Sequence, residues 1–221
     1  MNDDILINSE YSAQGRKHSI SPGLIRLINK SSILKNIGNK NRVVDYGCGK
    51  LRNFEQIIKF AKELYLVDTK IQLLRNHTEQ GKKFDYLDFL KNNSNGVICR
   101  IIDNINFQQL NINCDIIFSI AVADVIPLDS YSNIIKDSYN KLRKDGFFVL
   151  IVPRNDTSIL RRCNKENSYK CGNLFKKGKY YTYMRNYRDS KPLYNEIEKY
   201  GFCLEEDFSF YNQICAIFQK E

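Results

Sequence analysis

The stretch Arg42-Val43-Val44-Asp45-Tyr46-Gly47-Cys48-Gly49 decides the fold: an apolar strand runs into a glycine turn, and a helical pattern follows from Asn53. Glycines are required in such a turn because a Cβ would hold a ligand away from the backbone, and because the turn favours positive φ. A nicotinamide- or flavin-binding turn would need a third glycine at position 52, which is Arg52. An acid at the strand end, Asp45, suits a cationic ligand with an amino acid moiety, although it could also cap a purely structural turn.

Outward from this turn, short apolar runs alternate with helix-length patterns. The predicted strands are 42–46, 64–68, 97–102, 115–120, 147–152, 203–209 and 213–218, and the predicted helices are 53–62, 72–80 and 130–144. The first five strands are rich in Val, Ile, Leu and Phe on both faces, as buried parallel strands are. The alternation predicts an α/β fold with a doubly wound, mostly parallel seven-stranded sheet. The last two runs leave no room for a helix between them and predict a C-terminal antiparallel hairpin.

The composition bounds the classes of partner. The chain has 221 residues and a formal net charge of +9. This charge favours an anionic partner, but a lysine-rich composition that only keeps the surface solvated explains it equally well. The start lacks the basic leader and apolar run of a signal peptide, and no run is long enough to span a bilayer, so we expect a cytoplasmic protein without membrane association. The seven cysteines are scattered and form no Cys-x-x-Cys, which predicts reduced side chains and no metal site.

Asp45-x-Gly47-x-Gly49 resembles the first motif of class I S-adenosylmethionine-dependent methyltransferases. Four further segments resemble later motifs of that family in the same order. They are Asp68 at the end of the second strand, Asp103 after the third, residues 114–127 around the fourth, and residues 142–149 leading into the fifth. Together the five correspondences cover roughly residues 40–155, and they are much more specific than any one of them alone.

The resemblance implies S-adenosyl-L-methionine as the cofactor and gives roles to the matching residues. In the family, the acid and glycines of the first motif hold the methionine part, the acid at Asp68 takes the ribose hydroxyls, and the position of Asp103 contacts the adenine amino group. The predicted cofactor-binding residues are Asp45, Gly47, Gly49, Asp68, Thr69, Asp103 and Ser119. Asp68 and Asp103 each have a structural alternative, because an acid there could instead cap a helix or lie solvated in a loop.

Two departures from the family pattern qualify the resemblance. Leu51 stands where a third glycine is usual, which could alter how the methionine end is held. The fourth motif lacks the Asn/Asp-Pro-Pro-Tyr/Phe tetrapeptide of exocyclic-amine methyltransferases and the Pro-Cys of cytosine-C5 enzymes. A covalent cysteine mechanism is therefore not expected, and Cys48 lies in the turn itself rather than in a position to attack.

Residues 1–221 are predicted to form a single methyltransferase domain with two additions. Residues 1–40 are expected to be an N-terminal helical lid segment, in which Ser21-Pro22 begins a helix. Residues 153–192 are basic, Tyr-rich and irregular in pattern. They follow the fifth strand at the carboxyl edge, where ligands bind in such sheets, and are therefore interpreted as an acceptor-side insertion.

The residues of the insertion are the basis for predicting the methyl acceptor. Its basic side chains would track phosphate and its tyrosines would stack an exposed base, so the expected acceptor is a nucleic acid, at a base or nucleotide. The predicted substrate-binding residues are Arg154, Asn155, Tyr181, Tyr183 and Arg185. One alternative is a small-molecule or peptide acceptor enclosed by the same aromatic side chains. Another is a non-catalytic cofactor-binding partner protein, for which Leu51 is mild support.

Asp124 and His18 are the candidate catalytic residues. A sulfonium is already a strong electrophile, so alignment and a dry site matter most, and a general base is optional for amines and useful for hydroxyls. Asp124 follows the fourth strand, where it could orient an acceptor or cap a turn before Pro127. His18 lies in a segment that could fold over the cofactor, whereas His77 falls within a polar helical pattern and is expected at the surface.

Overall fold

The computed structural model describes residues 20–74, 78–79, 82–83, 85–154, 168–177, 180–210 and 212–221. The strands are β1 (Asn41–Tyr46), β2 (Ala61–Asp68), β3 (Thr78–Glu79), β4 (Lys82–Lys83), β5 (Ile98–Asp103), β6 (Cys114–Ile120), β7 (Leu142–Pro153), β8 (Ser168–Tyr169), β9 (Gly172–Lys177), β10 (Tyr180–Met184), β11 (Phe202–Asp207) and β12 (Gln213–Lys220). The helices are α1 (Pro22–Lys30), α2 (Ser32–Asn36), α3 (Phe54–Ile57), α4 (Lys70–Leu74), α5 (Tyr86–Asn93), α6 (Asn104–Gln109), α7 (Leu128–Lys141) and α8 (Lys191–Glu198), with a 3-10 turn at Ile58–Phe60. Within these ranges, none of the helices combines the length and apolar character that a bilayer crossing requires.

Seven strands form one sheet in the order β11-β12-β7-β6-β1-β2-β5. The strands β5, β2, β1, β6 and β7 run parallel to their neighbours. Strand β12 is antiparallel to both β7 and β11. The predicted doubly wound, mostly parallel seven-stranded sheet with a C-terminal antiparallel pair is therefore confirmed. Because β12 inserts between β7 and β11, strand β11 forms one edge of the sheet, and β5 forms the other.

Two apolar clusters cover the two faces of the sheet. Side chains alternate along a strand, so Val44 of β1 belongs to one cluster and Val43 to the other. Tyr131 of α7 and Leu193 of α8 are buried on the first face, and Leu24 of α1 is buried on the second. Helices on both faces explain why the central strands are apolar throughout. The edge strand β5 is less enclosed and exposes half of Ile98.

Three local predictions are wrong. The helix expected at 72–80 ends at Leu74, and residues 78–79 lie in a short strand that pairs with residues 82–83. The helix expected at 53–62 is a single turn followed by a 3-10 turn, because Ala61 already begins β2. The insertion was expected to be irregular, but β8, β9 and β10 form a three-stranded antiparallel sheet. Tyr, Thr and Phe favour strands, and the surrounding lysines obscured that preference in the sequence.

Helices α1 and α2 attach the N-terminal segment to the sheet. Gly23 lies so close to β12 that an added Cβ would be 2.8 Å from Gln213 Oε1. The Glu206 carboxylate of β11 accepts the backbone N–H of Ser32 at 3.0 Å and so holds the start of α2. Residues 1–19 of the predicted lid segment lie outside the described residues.

Candidate functional site

Strand β1 ends at the centre of the sheet, between β2 and β6, where the order of the strands reverses. In open α/β sheets, ligands bind beyond the carboxyl ends of the strands at such a switch point. The register places Asp45 opposite Leu66 of β2 and opposite Phe118 of β6. The turns that leave these three strands therefore meet around Asp45.

The turn after β1 is held against β2 and against the loop after β6. The backbone N–H groups of Gly47 and Cys48 both donate to Val67 O, at 2.7 and 3.1 Å. Gly47 has a φ of +84°, and an added Cβ would lie 2.4 Å from Val122 Cγ2, so only glycine fits there. Gly49 has a φ of +51°, and within the described part of the chain an added Cβ would meet no atom nearer than 3.9 Å. The turn is therefore a backbone cradle with open space above Gly49.

Leu51 keeps the geometry of the glycine that it replaces. Its φ is +58°, in the left-handed region that costs a non-glycine residue about 1–2 kcal/mol. The side chain is buried in the cluster beneath the turn, which contributes roughly 1.5–3 kcal/mol for a leucine. The backbone N–H also donates to Cys48 O at 2.9 Å. Burial of the side chain thus offsets the strain of the positive φ at Leu51.

Asp45 brings an uncompensated carboxylate to this cradle. It is only 2 % exposed, and its Oδ2 has no hydrogen-bond partner among the described residues. Burial and the neighbouring charge of Asp68 raise the pKa of Asp45 to about 7. A buried ionised carboxylate without a partner is strongly unfavourable, so the position suits either a proton or a bound cation.

Asp68 and Tyr86 fix Gly49 from both sides. Asp68 Oδ2 accepts the Gly49 N–H at 2.7 Å, and Asp68 Oδ1 accepts the Thr69 N–H at 2.7 Å. Tyr86, at the start of α5, donates its hydroxyl to Gly49 O at 2.8 Å. Thr69 Oγ1 accepts the Gln72 N–H at 3.3 Å and begins α4. Each carboxylate oxygen of Asp68 has a second lone pair, so the predicted ribose contact is compatible with these bonds.

Asp103 and Ser119 lie at the ends of the flanking strands. Asp103 is opposite Asp68 and caps α6, since its Oδ1 accepts the Asn106 N–H at 3.0 Å. That hydrogen bond lowers the pKa of Asp103. Ser119 is fully buried, and its hydroxyl lies 2.9 Å from that of Tyr131. By strand alternation, Ser119 faces the side of the sheet opposite to Asp45. Both residues stay predictions as cofactor contacts.

Residues 122–124, which we name the connecting tripeptide, join the cradle to the insertion. Val122 packs against Gly47 on one side. On the other side, Ala123 O accepts the Tyr187 hydroxyl at 3.2 Å, and Asp124 O accepts the Arg185 N–H at 2.7 Å. The cradle and the insertion are therefore adjacent across three residues. We name the side of the connecting tripeptide that faces the insertion the acceptor edge.

Asp124 lies buried in the connecting tripeptide, and its charge acts on Arg52, which follows the cradle. Burial lowers the pKa of Arg52, and the charge of Asp124 acts in the opposite direction. Asp124 also contributes to raising the pKa of Tyr187, although burial of that phenol is the larger cause. The candidate catalytic acid is thus placed between the cradle and the insertion, and its catalytic role stays a prediction.

Two tyrosines of the insertion, Tyr183 and Tyr187, lie inside the protein. Tyr183 is fully buried and donates its hydroxyl to Lys170 O at 2.9 Å. Tyr187 is only 2 % exposed, whereas Tyr181 is partly exposed. The sequence suggested that tyrosines of the insertion stack an exposed base. Tyr183 and Tyr187 are not at the surface to do so. The predicted contact Arg154 extends β7 and donates its Nε to Arg188 O at 2.9 Å.

Arg185 lies beside these rings. Its guanidinium carbon is 4.5 Å from the centre of the Tyr187 ring, and its Nη1 is buried without a hydrogen-bond partner in the described ranges. His18, Asn155 and His77, with the rest of 155–167, lie outside the residues that the structure describes. Those that it describes contain no group of three or more His, Cys, Asp or Glu placed to hold a metal ion.

Comparison with known proteins identifies the architecture. No protein-family model matches the chain. The uncharacterised Escherichia coli protein YmfD is 26% identical over 153 residues, which are 68% of this chain and 67% of that protein. A S-adenosylmethionine-dependent methyltransferase from Methanosarcina mazei has a TM-score of 0.61 at 14% identity, covering 86% of this chain and 97% of its own. This chain has the class I methyltransferase fold.

Two further structures with the methyltransferase fold have named acceptors. The Burkholderia thailandensis 1,6-didemethyltoxoflavin-N1-methyltransferase, solved with 1,6-didemethyltoxoflavin and S-adenosylhomocysteine, has a TM-score of 0.58 at 13% identity and covers 90% of this chain and 77% of its own. The Synechocystis magnesium protoporphyrin IX methyltransferase, solved with S-adenosylhomocysteine, has a TM-score of 0.58 at 12% identity, with 90% and 80% covered. The resemblance drawn from the sequence is thus confirmed for the fold.

Within the methyltransferase fold, sequence reasoning missed two residues at the site. Asp85 precedes an apolar run and is an N-cap signal that could have revealed α5, of which Tyr86 is the first residue. No local pattern, however, could show that Tyr86 reaches Gly49. Arg52 was noted only as the residue that replaces a dinucleotide glycine, and its proximity to Asp124 depends on the tertiary fold.

Proposed function

We propose that this protein is a S-adenosyl-L-methionine-dependent methyltransferase. The observation that carries the proposal is the buried Asp45 carboxylate, whose Oδ2 has no partner in the described part of the chain, beside a glycine cradle. A dry, unpaired carboxylate repels the phosphates of a dinucleotide and attracts the amino group of an amino acid moiety. The methyltransferase fold, which neighbours with bound S-adenosylhomocysteine share, supports the same choice.

The residues present fit this cofactor. Asp45 would bind the ammonium group, the backbone of Gly47 and Gly49 would border the methionine part, and Asp68 would bind the ribose. The cofactor supplies a methyl group on a sulfonium, which needs no further activation. The protein's own contribution is to hold the cradle rigid, through Asp68 and Tyr86 on Gly49, and to keep the site dry.

A small molecule is the acceptor that the structure supports best. The two neighbours with named acceptors act on 1,6-didemethyltoxoflavin and on magnesium protoporphyrin IX, both of which are small molecules. In this chain, Tyr183 and Tyr187 are buried and do not form a stacking surface. The nucleic-acid acceptor expected from the basic insertion gains no support from either observation and retains only the net charge of +9 in its favour.

Asp124 is the acid best placed to orient the acceptor. It is buried at the acceptor edge, with Arg52 of the cradle near its charge and its backbone carbonyl bound to Arg185. An acceptor amine needs no base, because its lone pair is already available, whereas a hydroxyl would gain from a carboxylate within hydrogen-bond reach. Asp124 can therefore position either kind of group.

Calorimetric titration with S-adenosylhomocysteine tests the cofactor site. The wild-type protein should bind, and Asp68→Ala should abolish binding because it removes the ribose acid and frees the Gly49 N–H. Asp88→Ala, an exposed acid of α5, is the matched control and should leave the affinity unchanged. Unchanged binding by Asp68→Ala would contradict the cofactor assignment.

Transfer of a labelled methyl group tests the acceptor. The purified protein would be incubated with methyl-labelled cofactor and separate pools of DNA, RNA, protein and small metabolites. Label is expected in the small-metabolite pool. Label confined to DNA or RNA would overturn the small acceptor and restore the nucleic-acid interpretation, and binding without label in any pool would point to the non-catalytic alternative.

A further inference from the structure

Arg185 has hydrogen-bonding capacity that the described residues do not use. Its backbone N–H donates to Asp124 O at 2.7 Å, which fixes the residue beside the connecting tripeptide. Its Nη1 is buried and has no hydrogen-bond partner in those ranges. A guanidinium stays charged at any physiological pH and carries only donors, so a buried N–H without an acceptor is costly. A ligand that brings an acceptor oxygen to Nη1 would remove this cost.

The stacking of Arg185 on Tyr187 leaves this capacity open. The guanidinium carbon lies over the Tyr187 ring, 4.5 Å from the ring centre. Contact with the ring does not replace a hydrogen bond, and Nη1 has no hydrogen-bond partner in the described ranges. Tyr187 is itself fixed, because its hydroxyl donates to Ala123 O at 3.2 Å. The ring therefore helps to position the guanidinium, and Nη1 keeps the capacity to bind an anion.

The charges around Asp124 favour an anion at the same place. Arg52 is near it on the side of the cradle, and Arg185 is bound to its backbone on the side of the insertion. The Arg185 guanidinium is a fixed positive charge on the side of the insertion, beside Tyr187. In a partly buried site such a charge is little screened and binds an anion more strongly than a surface lysine would.

We infer that the methyl acceptor is a small molecule carrying an anionic group, a carboxylate or a phosphate, and that Arg185 binds this group at the acceptor edge. The inference rests on the proposed function and adds the chemical class of the acceptor. Burial of Nη1 limits the size of the acceptor, because its anionic group must enter the protein to reach this nitrogen. A polynucleotide backbone would have to thread between buried rings to reach the same nitrogen.

The experiment uses a metabolite extract below about 3 kDa, which contains small metabolites and no folded domains. Anion exchange divides this extract into a bound and an unbound fraction. Each fraction is incubated with the protein and methyl-labelled cofactor. Label should appear in products of the bound fraction. Phosphatase treatment of that fraction distinguishes the sources: loss of the acceptor indicates a phosphate, and survival indicates a carboxylate.

Variants of Arg185 complete the test. Arg185→Gln should lower the labelling rate roughly ten- to hundredfold, as expected for the loss of a charged hydrogen bond, while S-adenosylhomocysteine binding and the thermal midpoint stay near wild type. Arg185→Lys, which keeps the charge, should recover part of the rate. Arg188→Gln, an exposed arginine three residues away, is the control and should change nothing.

Two results would overturn the inference alone: equal or greater labelling of the unbound fraction, or an unchanged rate for Arg185→Gln. Absence of label in both fractions, from protein that binds S-adenosylhomocysteine, would contradict the proposed methyl transfer and this inference with it. The failure of the inference is therefore distinguishable from the failure of the proposed function.

Discussion

Asp45 links folding to pH through a single carboxyl group. Its pKa of about 7, raised by burial and by Asp68, lies above the ordinary value of 3.8. The folded protein therefore holds a proton that the unfolded chain releases, and stability falls as the pH rises from about 4 to about 7. Asp45→Asn removes this dependence. We expect its thermal midpoint without cofactor to exceed that of the wild type at pH 8 and to match it closely at pH 4.

The same variant separates stability from binding. Because an ammonium ligand prefers ionised Asp45, the affinity of the wild type for S-adenosylhomocysteine should increase from pH 6 to pH 8, whereas that of Asp45→Asn should be weak and nearly constant. Equal thermal midpoints of the two proteins at pH 8 would contradict this account, because they would show that the Asp45 carboxylate is already compensated in the empty site.

Tyr86 acts on the cradle through one hydrogen bond. Tyr86→Phe removes the hydroxyl that donates to Gly49 O at 2.8 Å and keeps the ring. A bond of this kind contributes about 0.5–1.5 kcal/mol, so S-adenosylhomocysteine should bind roughly two- to tenfold more weakly. We expect the weaker binding because the turn is less rigid without this hydrogen bond. Titration calorimetry measures the change in affinity. Tyr139→Phe, in α7 against Phe202, is the control, and equal losses in both variants would refute a specific role for Tyr86.

Among the elements, β1, β2 and β5 are joined near their amino ends by Glu63. Its carboxylate accepts Arg42 Nε and Arg100 Nε, each at 2.8 Å, and the Tyr65 hydroxyl at 2.9 Å. Burial acts to raise the pKa of Glu63, but these hydrogen bonds outweigh it and lower the pKa to about 2. The depressed pKa means that Glu63 stabilises the sheet above about pH 4.5 and loses that effect as the pH falls towards 2.

Glu63→Gln should therefore lower the thermal midpoint at pH 7 and make little difference at pH 2. Denaturation curves of both proteins between these values provide the measurement, and the gap between them should close on acidification. A gap that stays constant with pH would mean that packing, rather than the charge of Glu63, joins the three strands.

The elements differ in how far their sequences predict them. The central strands were predictable because both of their faces are buried, so each is a continuous apolar run. The length of helix α3 was not, since a helix was predicted over 53–62 and α3 ends at Ile57. The strands of the insertion were hidden because Tyr181 and Tyr183 alternate among lysines and arginines, and local composition favoured a basic loop. Asp103 shows a further limit: the same residue type serves as helix cap and as predicted adenine contact.

At the scale of the whole molecule, the glycine turn after β1 could be predicted from the sequence, whereas the contacts around it could not. The cradle is one local motif, so the end of β1 at Asp45 and the turn at Gly47 and Gly49 can be read from the sequence. The contacts that complete the site join distant residues: Tyr86 and Gly49 are 37 positions apart, and Tyr187 and Ala123 are 64 apart. Such contacts leave no trace in a single sequence, because only tertiary packing brings the partners together.

The connecting tripeptide makes the two halves thermodynamically interdependent. A ligand that immobilises Gly47 restricts Val122, and the two following residues hold Tyr187 and Arg185. Whatever free energy this ordering contributes, reciprocity requires that each ligand change the other's affinity by the same factor. We therefore expect cooperative binding, in which a ligand in either half that orders the connecting tripeptide increases the affinity of the other half for its own ligand.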